Sequence, residues 1–124
     1  MKYILLMSAT AAGVEGYRTR PKQDIEAHMA ILHRISKDLS ESGEFVATQG
    51  LVGPKEAKVV RGEKNGVPVT DGIFPEAKEF LLGYWIVDVP NPERAYAIAG
   101  RISAASSNIP IEVRQFATYE SASR

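Results

Sequence analysis

A mixed α+β fold is what this sequence predicts, and three observations carry the prediction. Short apolar runs near residues 3–7 and 81–89 have the length and the β-branched or aromatic content of central strands. A segment with apolar residues at helical spacing follows each of them, and a further strand-like run follows each helix. Between the two halves stands Asn65-Gly66 with β-branched residues on both sides, the strongest short-range signal for a hairpin. The order is therefore β-α-β, a hairpin insert, then β-α-β. That is the split βαβ pattern of a ferredoxin-like sheet, with both helices packed on one face.

The elements follow in chain order. KYILLM at the start is a continuous apolar run of the kind found in a strand covered on its faces. From Ser8 to Gln23 no usable period is found, so this stretch reads as a long loop, and loops of that length in compact domains are often functional or mobile. Asp24 is suited to cap a helix over about 24–42, in which Ile25, Met29, Leu32, Ile35 and Leu39 recur at helical spacing until Ser42 and Gly43 end it. GEFVATQGLV reads as a strand in which Gly50 marks a bulge or a close backbone approach. The hairpin is placed at about 57–70, and LLGYWIVDV forms the next central strand. Asn91 then caps a helix over about 92–103, with Pro92 at its first position and a narrow stripe of Ala95, Ile98, Ala99 and Ile102 that lets it lie close to a sheet. IPIEVRQF alternates apolar and polar residues, the period of a strand with one covered face.

Two helices cover one face of such a sheet, yet its central strands are apolar on both. A second copy laid sheet against sheet would bury the other face, so the sequence predicts a homodimer of the α+β barrel type.

The 124 residues suit a single domain spanning 1–124, with 44% hydrophobic and 24% charged residues, as in an ordinary globular chain. Fifteen basic residues balance fifteen acidic ones and no Lys/Arg block is present, which argues against nucleic acid as a partner. The apolar run from Tyr3 to Met7 is too short for a secretory signal or a membrane span, so no membrane partner is expected. The absence of cysteine removes disulfides, thiolate-held zinc and cysteine nucleophiles, and a cytoplasmic location is the expectation.

The chemical inventory is short: two histidines and no nucleotide, zinc-protease or nucleophile-elbow motif, so no cofactor and no metal are expected. His28 and His33 lie about 140° apart on a helix of about 100° per residue and cannot share one ion while the helix is regular. His28 falls within the apolar stripe and is expected to face the sheet, whereas His33 is expected to face solvent. A histidine on that face is either a core-edge side chain with its nitrogens satisfied or a general acid/base. Asp71 in the turn TDGIF has the same two readings: ordinary Asp-Gly turn chemistry, or an acid placed at a site by a connection longer than a plain hairpin needs.

The stretch VTDGIFPEAKEFLLGYWIVDV resembles the signature of the DGPF family of small YCII-related proteins. The matching residues are Asp71, Gly72, Phe74, Glu76, Ala77, Lys78, Glu79, Gly83 and Tyr84. The KYILLM opening, the Ser42-Gly43 helix end, GLVGP at 50–54 and the closing IEVRQF agree with it. The resemblance implies a ferredoxin-like, dimeric α+β barrel and a poorly defined function. It also implies a catalytic pair made of a histidine on the first helix and the aspartate of the Asp-Gly turn. Some relatives are attached to, or travel with, extracytoplasmic-function sigma factors. Ile73 stands where the signature has proline, and Pro75 follows two residues on. Counted back from Gly43, the helix position of the family's histidine falls on Leu32, with His28 one turn earlier on the same face.

The resulting expectation is a small-molecule enzyme of the proton-transfer class. In it His28 shuttles a proton, Asp71 steadies the imidazolium, and Lys78 or Arg114 holds an anionic substrate near Gly72; the alternatives are an Arg114 paired with Glu112 or another acid and a solvent-exposed Lys78. Phe74, Tyr84 and Trp85 are candidates to line an apolar pocket between sheets, or simply to fill a core. A binding or sensing module would keep the cavity without a converging acid/base pair. An interaction protein serving a sigma factor would expose an apolar patch outside the dimer interface.

Overall fold

The computed structural model describes residues 1–72 and 79–122, with Asp71 and Ala122 described by their backbone alone. Strand β1 (Lys2–Ala9) leads into helix α1 (Ala11–Arg18) and the long helix α2 (Lys22–Glu41). Strand β2 (Phe45–Gly50) follows, then a single 3-10 turn (Pro54–Glu56) and the ribbon of β3 (Lys58–Arg61) and β4 (Val69–Gly72). Strand β5 (Phe80–Asp88), helix α3 (Pro92–Ala105), strand β6 (Ile111–Gln115) and the short α4 (Tyr119–Ala122) complete the order. The main sheet is antiparallel with strand order β2-β5-β1-β6, compatible with a ferredoxin-like α+β fold, and β3-β4 forms a separate two-stranded sheet.

Strand alternation decides what the sheet buries. Tyr3 and Leu5 of β1, with Trp85 and Val87 of β5, form the core with Ile35 and Leu39 of α2 and Ala95, Ile98, Ala99 and Ile102 of α3. Their neighbours Ile4, Leu6, Tyr84 and Ile86 alternate to the opposite face and are only half-buried. One face of the sheet therefore carries the core, and the other carries an apolar set that α2 and α3 do not cover.

The stretch after β1 corrects the expectation of a long loop. Helix α1 forms there because Thr10 caps it, its Oγ1 accepting from the Gly13 N–H at 3.0 Å, and because Val14 and Tyr17 share a half-buried face. Two glycines in eight residues lower its intrinsic propensity, which hides the helix from a periodicity reading. Helix α2 begins at Lys22, two residues before the expected cap. Asp24 lies in the first turn, where an acid favours the positive end of the helix dipole.

The far end of α2 closes as its sequence predicts. Gly43 takes a left-handed φ of 76°, and the Glu44 N–H reaches back to the Leu39 carbonyl at 2.8 Å. Asn91 caps α3, its side-chain oxygen accepting from the Arg94 N–H at 2.9 Å. The hairpin also forms, but its strands pair only from Arg61 opposite Val69, so Asn65-Gly66 sits inside a wider connection. Its Asp-Gly pair consequently lies at the end of β4, Asp71 opposite Val59 and Gly72 opposite Lys58.

Glu44 joins the two long helices. It accepts from Arg94 Nε and Nη2, both at 2.8 Å, and from Ser42 Oγ at 2.7 Å. The Arg94 hydrogen bonds hold its carboxyl below the usual range, against the opposing effect of burial. Stabilisation from this pair is present above the ordinary carboxylate pKa and is lost as pH falls through the lowered one. Arg94→Ala is expected to cost about 2 kcal/mol in chemical denaturation at pH 7, the order of a charge-assisted hydrogen bond. The gap to wild type should narrow in acid.

Candidate functional site

His28 emerges from the N-terminal half of α2 and meets two hydroxyls. Tyr17 Oη of α1 lies 2.8 Å from Nδ1, the two rings meeting edge to face at 5.4 Å. Ser106 Oγ, at the C-terminal cap of α3, lies 3.0 Å from Nε2. A neutral imidazole has one donor and one acceptor nitrogen, so two arrangements satisfy it. Either Tyr17 donates to Nδ1 while Nε2–H donates to Ser106, or Ser106 donates to Nε2 while Nδ1–H donates to Tyr17.

The turn that presents Ser106 is unusual. Ser107 and Asn108 both take left-handed backbone, with φ of 58° and 59°. Asn tolerates that region and Ser much less so. The Asn108 N–H bonds the Ser103 carbonyl at 2.8 Å, and Ser103 Oγ donates to the Ile109 carbonyl at 2.6 Å. This clasp turns the chain sharply after α3 and leaves Ser106 and Ser107 facing α1 and α2.

These groups line one side of a cavity of about 580 Å³ between the helices and the sheet. That volume suits a small organic molecule. Met7, Met29, Leu32, Leu82, Trp85 and Ile109 supply apolar wall. Gly83 lies where β5 and β2 come closest: a Cβ there would stand 2.8 Å from the Gln49 carbonyl oxygen. Arg20, in the connection between α1 and α2, donates from Nη2 to Ser107 Oγ at 3.1 Å and stacks 5.5 Å from the Tyr17 ring centre. Burial first, and the Arg20 charge second, push the His28 pKa below its ordinary value of 6.5. A pKa on that side of 6.5 favours the neutral imidazole at pH 7.

Among the expected site residues, His28 faces the cavity as its place in the stripe predicts, and Leu32, one turn along, lines the same space. Trp85 lines it too, while its neighbour Tyr84 alternates to the face of the sheet opposite α2 and α3 and is half-buried. Arg114 is exposed on β6 and stands 3.6 Å from Glu112. Gly72 is exposed at the end of β4. The Asp71 side chain, Phe74 and Lys78 lie outside the described residues. His33 is exposed, as expected, and it also lines the open cavity. The open cavity spans residues 28, 29, 32, 33 and 36 of α2, a face broad enough to include both histidines. Among the described residues no three His, Cys, Asp or Glu side chains converge as a metal site would require.

Tyr17, Arg20, Ser106 and Ser107 were not anticipated. The signals available were modest: Thr10 ahead of Ala11-Ala12 as a helix start, and the Ser-Ser-Asn run after the α3 stripe as its end.

The sequence profile of the YCII-related domain matches residues 1–117. The chain belongs to the YCII-related family. An uncharacterized protein of Rhizobium meliloti (strain 1021) is 31% identical over 100 residues, covering 80% of this chain and 81% of the relative. The function of that relative is itself uncharacterized. Among the described residues no helix is long and apolar enough to cross a membrane.

Two titrations check this description of the site. Arg20→Gln is expected to move the His28 pKa upward in an NMR titration but not fully back to 6.5, since Arg20 is the lesser of its two causes. Because the folded pKa is depressed, the unfolded chain takes up the proton first as pH falls. Stability should therefore decline on acidification from the unfolded value through the folded one, and His28→Gln should flatten that part of the pH–stability curve.

Proposed function

We propose that this protein is a small-molecule enzyme of the proton-transfer class, with His28 as its general base. One observation carries the reading: a histidine is held by hydroxyls on both nitrogens in the wall of a largely apolar cavity. The proton leaves an activated C–H or O–H of the substrate for Ser106 Oγ while the Ser106 hydrogen passes to Nε2, and Nδ1–H donates to Tyr17. Where the substrate displaces Ser106, the proton passes to Nε2 directly. Elimination or isomerisation completes the turnover when the same proton is returned elsewhere. Asp71, flanked by Gly72, Phe74 and Lys78, is the acid this reading assigns to steady the imidazolium once it forms. A cytoplasmic homodimer is part of the reading, the second copy covering Ile4, Leu6, Tyr84 and Ile86 and bringing Arg114 into the joint between sheets. The half-buried apolar face of the sheet that α2 and α3 leave open supports it.

A binding or sensing module is the second reading. What favours it is that both His28 nitrogens already have partners and that no Asp or Glu lines the cavity among the described residues.

Three measurements test these readings. In deuterated buffer, carbonyl compounds with acidic C–H bonds should exchange faster with wild type than with His28→Gln. The rate should rise with pH through a pKa below 6.5 and then level. Ligand binding with no exchange in either protein would make it a binding module. Asp71→Asn should lower the His28 pKa if the two are coupled, and an unmoved titration would remove Asp71 from the pair. Light scattering should give twice the 13.6 kDa chain mass, which a Tyr84→Glu variant should halve.

A further inference from the structure

The charge of the cavity is one-sided. Arg20, His28 and His33 line it, and among the described lining residues there is no Asp or Glu. Arg20 is the permanent cation of the three. Its partners are a neutral hydroxyl, Ser107, and a neutral ring, Tyr17, and neither cancels its charge. Four other arginines meet carboxylates: Arg34 and Arg101 share Asp38, Arg94 takes Glu44 and Arg114 approaches Glu112. Arg20 differs in standing beside an apolar cavity without a counter-ion among the described residues.

Resting on the reading of this cavity as a small-molecule site, we propose that its ligand is a monoanionic carboxylate with an aromatic or branched apolar body. The carboxylate is held by the Arg20 fork and the Ser107 hydroxyl, and the body lies against Met29, Leu32 and Trp85. The donor set points to a carboxylate. A guanidinium and one hydroxyl match the two oxygens and single negative charge of a carboxylate, whereas a phosphate dianion would leave about one negative charge uncompensated beside the one permanent cation among the described lining residues. The left-handed Ser107 backbone fixes that hydroxyl toward Arg20. An anion in this position also opposes the Arg20 field at His28. The titratable groups lining the cavity with His28 are Tyr17 of α1, Arg20 of the following connection and His33 of α2. The α3 end contributes only Ser106 and Ser107, and β1, β2 and β5 contribute no titratable side chain among the lining residues.

The test is a titration of the full chain with benzoate and cyclohexanecarboxylate, using benzamide as the neutral isostere and inorganic phosphate as the competing anion. It is followed by amide NMR. The carboxylates are expected to shift Arg20, Leu32, Ser107 and His28 signals saturably, about tenfold more tightly than benzamide, the order of a charge-assisted hydrogen bond. Saturation should raise the His28 pKa. Arg20→Gln should erase the preference for benzoate over benzamide, and Arg20→Lys should keep part of it. Because Arg20 is exposed, each variant is expected to fold, as its amide spectrum would show. Equal affinity for benzoate and benzamide, a preference that survives Arg20→Gln, tighter phosphate binding, or no saturable shift with either carboxylate would each overturn the proposal. Proton exchange on neutral compounds under those outcomes would leave the role of His28 standing, so the two readings fail separately.

Discussion

The imidazole of His28 joins segments that the chain separates by 11 and 78 residues, through Tyr17 on one nitrogen and Ser106 on the other. Each bond fixes an element that has little else to place it. Helix α1 is short, carries two glycines and buries no residue fully, so the Tyr17 bond and edge-to-face contact hold it against α2. The end of α3 turns through two left-handed residues, and the Ser106 bond anchors that turn to the same ring. With α1, α2 and the α3 end tied at one point, the space between them and the sheet stays open as a cavity.

The two ends of α2 are built on opposite electrostatic plans. At its C-terminal end, Glu44 and Arg94 satisfy each other through two hydrogen bonds, and Ile35 and Leu39 nearby are fully packed. The ion pair there is complete and the core is closed. At the N-terminal end, Arg20 has neutral partners, His28 is neutral through burial and the Arg20 charge, and Met29 remains 43% exposed. The same helix thus borders a closed core and a complete ion pair at one end and an open cavity at the other.

The sheet divides in a similar way. Its helix-covered face supplies Tyr3, Leu5 and Val87 to the core and Trp85 to both core and cavity wall. Its other face presents Ile4, Leu6, Tyr84 and Ile86, apolar enough to call for cover that the chain's long helices do not provide. Tyr84 and Trp85, adjacent in sequence, therefore belong to different sites, one facing out of the domain and one facing the cavity.

What the sequence by itself determined was the order and kind of the main elements. Strand alternation, helical spacing from Ile25 to Leu39 and in α3, and the cap residues Asn91 and Gly43 are local signals, and each element formed where they stood. The inward position of His28 was legible for the same reason, since a helical stripe is read from spacing alone. Tertiary structure decided the rest. Helix α1 exists through a cap and packing that outweigh weak propensity, and the hairpin strands pair farther from Asn65-Gly66 than the local turn signal implies. Ser106 reaches His28 only because α3 and α2 lie side by side on the sheet, and Arg20 becomes a cavity cation only because α1 folds back. No local period encodes such meetings between distant residues. They follow from which faces the folded chain brings together.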